Sequence, residues 1–91
     1  MIRANNFRFY LARYTDLGFA SVNDAVARVR RVENALDADV ETLLTQAGVA
    51  DLTARINPDD AAFHGQNADS LANLRAAVRR YHEFREWRLT N

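Results

Sequence analysis

Apolar side chains recur every three or four positions along most of this chain. In the first segment they fall at Phe7, Tyr10, Leu11, Tyr14 and Leu17, a spacing that lines one face of an α-helix. Asn5 or Asn6 is placed to cap its start, and Gly18 to stop it. Ser21 announces a second helix, with Asp24 three residues on in a capping-box position. Its apolar stripe runs Val22, Ala25, Val26, Val29, Val32 and Leu36. Valine is a mediocre helix former, yet the period is three to four rather than two, so packing is expected to override propensity.

Asp37 or Asp39 opens a short third helix through Val40, Leu43 and Leu44, and Gly48 stands where a left-handed C-terminal residue is wanted. Asp51 is placed to cap one or two further turns carrying Leu52 and Ile56. Asn57-Pro58-Asp59-Asp60 reads as cap, first-turn proline and two acids facing the positive end of a helix dipole, with Gly65 closing that turn after Phe63. The last helix is the longest, from about Ser70 to Arg88, burying Leu71, Leu74, Val78, Tyr81 and Phe84, with Trp87 near its end. Nothing alternates with period two, and no repeat or linker divides the chain. The expectation is one all-α domain over residues 1–91, a compact orthogonal bundle of four to five helices.

Composition fits that reading. A chain of 91 residues buries about 64% of its extended surface on folding. The hydrophobic fraction is 48% and the charged fraction 26%, values of a globular rather than a disordered chain. There is no cysteine, hence no disulfide framework and no thiolate metal site, and no apolar run approaches the roughly 20 residues that cross a bilayer. The first residues, with Arg8 and Arg13 close behind, lack the apolar centre of a secretory signal. A soluble, cytoplasmic protein with no membrane partner is expected.

Twelve basic residues offset twelve acidic ones, which removes the bulk positive field of many nucleic-acid binders and makes any affinity for DNA local. Every basic residue is arginine and none is lysine. A GC-rich genome explains that bias, although guanidinium groups are also the better ligands for phosphate and guanine where they cluster.

No catalytic constellation is visible. His64 and His82 stand eighteen residues apart without metal-binding spacing. Ser21 and Ser70 sit at helix starts, where capping accounts for them, and neither has a histidine or lysine at a motif distance. Asp59 and Asp60 read as a dipole-satisfying pair, and the three glycines stand too far apart for a phosphate loop. No enzyme, metal, cofactor or small-molecule substrate is expected.

The arginines gather on two helices. Arg28 and Arg31 share a face of the second, while Arg30 lies on the adjoining flank with Asn23 and Ala27. In the last helix Arg75 and Arg79 are four apart, with Arg80 beside them and His82 continuing the stripe. Four such groups on DNA phosphates would give a log–log salt slope of roughly −3.6. Against this stands ordinary solvated pairing: Glu83 lies four after Arg79, Glu86 four after His82, and Glu33 beside Arg30 and Arg31. Tyr81, Phe84 and Trp87 continue the apolar stripe and read as core rather than a base-stacking platform. Phe9 lies off the face of Phe7, Tyr10 and Tyr14, free to cover a second surface or dock a partner.

The order of these features resembles the N-terminal core-binding, SAM-like domain of tyrosine recombinases and phage integrases. Phe7-Arg8-Phe9-Tyr10-Leu11 stands in an opening helix, and Gly18-Phe19-Ala20-Ser21 resembles the family's turn into the next. Ala25-Val26-Ala27-Arg28-Val29-Arg30-Arg31-Val32 is similar to its second helix, and the segment from Leu71 to Phe84, with Arg79-Arg80-Tyr81-His82-Glu83-Phe84 at its end, is similar to its last. The resemblance implies a helical clamp half that grips double-stranded DNA without catalysing. Ser21 and Asn23 would meet a phosphate, and Arg28, Arg30, Arg31, Arg75 and Arg79 would reach backbone or base edges. The chain departs from the pattern in lacking the catalytic domain, in its neutral charge, and in the acids Asp37, Asp39, Glu41, Asp51, Asp59 and Asp60 that crowd its middle. The competing expectation is a protein-interaction or self-association module docking through Phe9 and the Phe84–Trp87 region.

Overall fold

A computed structural model describes all residues, Met1–Asn91, as four α-helices and one short 3₁₀ turn with no strand. Helix α1 spans Ala4–Tyr14, α2 Phe19–Leu36, α3 Val40–Arg55 and α4 Ala68–Thr90, with the 3₁₀ turn at Ala61–Phe63. The apolar stripes determine the packing. α2 meets α4 over the most extensive contact and α1 over the next, while α3 closes against α4. Every position expected on the buried face of α4 is buried, as is the stripe of α2 except Leu36, which is half-buried. On α1, Phe7 and Leu11 are fully buried, but Tyr10 is half-buried and Tyr14 is exposed. The twenty buried apolar residues form a single cluster to which all five elements contribute. The radius of gyration is 12.6 Å, close to the roughly 12 Å of a folded chain this long.

The helix ends differ from the expectations in instructive ways. α1 begins at Ala4 behind Arg3 with no side-chain cap; neither Asn5 nor Asn6 serves, and Asn5 Oδ1 instead accepts from Arg8 Nη1 at 3.1 Å. α2 begins at Phe19 behind Gly18, again with no side-chain cap, which places Ser21 inside the first turn and leaves Asp24 without a capping-box role. Extended backbone at Gly18 (φ −75°, ψ 172°) makes it the cap, three residues before the serine. Of the two candidates for α3, Asp39 is the cap, its Oδ2 accepting from Glu41 N at 2.9 Å.

Gly48 does not end α3. Its φ of 79° and ψ of 166° kink one run of sixteen residues, and Asp51 lies within the second arm rather than capping it. Asn57 caps no helix either: its Oδ1 accepts from Asp59 N and Asp60 N, at 2.8 and 3.2 Å, in a local side-chain turn. Asp60 caps the 3₁₀ turn by accepting from Ala62 N. α4 starts two residues earlier than the spacing suggests, because Asn67 Oδ1 accepts from Ser70 N at 2.8 Å and relieves Ser70 of that task.

Candidate nucleic-acid interface

Charge in this molecule is neutral in sum, and only a minority of the arginines are paired. Four of the twelve arginines have a carboxylate partner: Arg3, Arg85 and Arg88 on Glu41, and Arg55 on Asp60. The other eight, Arg8, Arg13, Arg28, Arg30, Arg31, Arg75, Arg79 and Arg80, have no carboxylate within ion-pair distance. The solvated pairs suggested by sequence spacing do not form. Glu83 does not pair with Arg79, and Glu33 turns inward, away from Arg30 and Arg31. Glu33 is buried, and its Oε1 meets the Met1 ammonium at 3.2 Å while Oε2 accepts from Val40 N at 2.9 Å, so it ties α2 to the start of α3.

Glu41, next along the same start of α3, is the hub that gathers positive charge from α4. Its carboxylate accepts from the Tyr81 hydroxyl at 2.6 Å, Arg85 Nε at 3.0 Å and Arg88 Nη1 at 2.5 Å. Tyr81, Arg85 and Arg88 are spaced to lie along one side of α4, so a single acid from the first turn of α3 receives all three. Burial pushes the carboxyl pKa up, but hydrogen bonds from Arg88, Tyr81 and Arg85 and the charge of Arg88 outweigh it and bring the value down to about 2. The same contact raises Arg88, and burial followed by the hydrogen bond to Glu41 raises Tyr81. Sequence reading placed Glu41 merely among the acids of the middle. The signal was the Tyr81, Arg85, Arg88 stripe, but nothing local says which acid meets it.

The seven residues singled out from the sequence do not share one surface. Ser21 and Arg28 of α2 face α4, where they line a cleft of about 200 Å³ with Asn73 and Arg80. Asn23 and Arg30 lie on the opposite flank of α2. The Asn23 amide oxygen accepts from Arg8 Nε at 3.2 Å, and Arg30 borders the N-terminal residues Met1 to Asn6. Arg31 is exposed and donates to Gln66 Oε1 at 3.2 Å. Arg79 lies on the α3 side of α4, beside His82, Val49 and Thr53, so it points away from the cleft that holds Arg80.

Arg75 is committed to the fold: Nη1 donates to the Ile56 carbonyl at 2.6 Å, satisfying the end of α3. The second and last helices therefore do present arginines to a common cleft, but through Arg28 and Arg80 rather than through Arg75 and Arg79. Asn73 carried no sequence signal, because an asparagine inside a helix reads as surface. Arg80 was legible only as a neighbour of Arg79.

Of the docking residues, Phe9 is 63% exposed, while Phe84 is buried against Phe7, Tyr10 and Tyr81 and is unavailable to a partner. Trp87 is half-buried against Tyr10 and Tyr14. No helix is long and apolar enough to cross a membrane. No family description, curated protein or solved structure matches the chain.

Proposed function

We propose that this chain is a non-catalytic helical module that binds duplex DNA through arginines of α2 and α4, as the resemblance to integrase core-binding domains implies. The carrying observation is that the arginines of α2 and of the middle of α4 are left unpaired. Glu41 and Asp60 absorb four guanidinium groups, and all six arginines of α2 and of the first four turns of α4 stand without a carboxylate. Unpaired guanidinium groups on adjoining helices keep the donors that phosphate contacts require.

The test is a fluorescence-anisotropy titration of mixed-sequence duplexes at low and moderate salt, with light scattering to give the mass. Duplex affinity is expected to fall steeply with salt, and the Arg28→Ala, Arg31→Ala, Arg79→Ala triple variant to lose it with little change in melting temperature. Retained affinity in that variant, or affinity indifferent to salt, defeats the proposal. Arg75 is left intact because its bond to Ile56 is structural.

A second reading is favoured by the exposure of Ile2, Phe9 and Phe19, at 86%, 63% and 87%. It makes the chain an interaction or self-association module. Salt-insensitive association abolished by Phe9→Ala is its signature.

A further inference from the structure

We infer that the cleft between α2 and α4 is a phosphate clamp, in which Arg28 and Arg80 grip one phosphodiester group of a DNA strand while Ser21 and Asn73 complete its hydrogen bonding. The inference deepens the DNA reading above and rests on it for the identity of the occupant.

Four observations converge. The two guanidinium groups come from different helices yet line the same cleft, and neither has a carboxylate partner, so both keep their full donor sets for a ligand. Asp24 lies one turn before Arg28 and Glu83 one turn after Arg80, and neither closes onto its neighbour. The remaining polar groups, the Ser21 hydroxyl and the Asn73 amide, are neutral donors suited to an oxyanion. Finally, the walls include Ala25 and Ala77, both buried, whose short side chains keep the two helices close and give the arginines a low-dielectric backing that strengthens their pull.

Size selects the ligand. At about 200 Å³ the cleft is smaller than the roughly 300–1,000 Å³ of pockets that enclose whole small molecules, so it takes a single phosphate and leaves the attached sugars outside. The adjacent end of α2 reinforces the preference. Gly18 offers no side chain to cap it, so the positive end of the helix dipole is not quenched by the protein. Contacts of this kind fix position on the duplex and carry no sequence information.

Two arms test the clamp. In the first, wild type, Arg28→Gln, Arg80→Gln, the double variant and Arg79→Gln are titrated with two unrelated duplexes across a salt series. Each cleft substitution is expected to weaken both duplexes equally, by about tenfold, and the double variant to make the log–log salt slope shallower by about 0.9, the share of one phosphate; Arg79→Gln, outside the cleft, weakens binding less. Wild-type binding with an unchanged double variant overturns the clamp and leaves the DNA reading standing. In the second arm, inorganic phosphate is added while side-chain Nε–H signals of the arginines and the Asn73 amide are followed by NMR. Shifts confined to Arg28, Arg80 and Asn73 support an oxyanion site, and their absence overturns it. If phosphate shifts these signals but no duplex binds at low salt, the DNA reading fails, and with it the assignment of a phosphodiester as occupant.

Discussion

Glu41 shows how one side chain decides the behaviour of a region. A carboxylate held at a pKa of about 2 against an ordinary 4.5 prefers its charged form in the folded state. Its contribution is therefore complete above pH 4.5 and is lost as the pH falls from there towards 2. Solvent reaches the group and screens its pairs, so the contribution is on the order of 1–2 kcal/mol. Denaturant unfolding at pH 7 is accordingly expected to find Glu41→Gln less stable than wild type by about that amount, with the gap closing at pH 2. A gap that persists unchanged in acid would place the role of Glu41 in its shape rather than its charge. Glu33 and Arg75 tie distant elements through the backbone, Glu33 accepting from Val40 N at the start of α3 and Arg75 donating to the Ile56 carbonyl at its close. None of these partnerships was legible in the sequence, because each joins residues seven to forty-seven positions apart and side-chain type alone does not name the partner.

At the scale of the element, periodicity was the readable quantity and termination was not. The stripes of α2 and α4 follow from spacing because burial of an apolar face outweighs the propensity of any single residue. Caps are decided by a residue or two of backbone. Ser21 carries the right chemistry for a cap, yet Gly18 reaches the extended conformation first and the helix starts there. Two positions turn this into an expectation about stability. Asp37 ends α2 in the left-handed region at φ 50° and its own N–H donates to Glu33 O. Glycine adopts that conformation without the penalty of a Cβ and keeps the backbone bond, so Asp37→Gly is expected to stabilise by about 1 kcal/mol. Gly48 is the converse case. A Cβ there meets open space, but φ 79° with ψ 166° is a region reserved in practice to glycine, so Gly48→Ala is expected to cost about 1–3 kcal/mol. Melting temperatures moving in opposite directions for the two variants check both, and a neutral Gly48→Ala would mean that α3 straightens without penalty.

Over the whole molecule, the packing that binds α1 to α4 is aromatic. Phe84 touches Phe7, Tyr10, Tyr81 and Trp87 with ring centroids 5.3 to 6.5 Å apart, and Tyr10 and Tyr14 carry the contact outward to Trp87. Since the buried apolar residues make one cluster, no helix has a core of its own to fall back on, and unfolding is expected to be all-or-none. A domain of this size has a total stability on the order of 5–14 kcal/mol, whereas truncating a buried phenylalanine costs about 3–5 kcal/mol. Phe84→Ala therefore removes a large share of the whole and is expected to lower the melting temperature by well over 10 °C, at about 4–8 °C per kcal/mol. Trp87, the only tryptophan, reports the α1–α4 contact by fluorescence, while far-UV circular dichroism reports helix everywhere. In wild type the two transitions are expected to coincide. If fluorescence changes first, α1 and the end of α4 separate while the rest holds. The arginines of α2 and the early turns of α4 would then belong to a unit that stays folded when the aromatic contact opens.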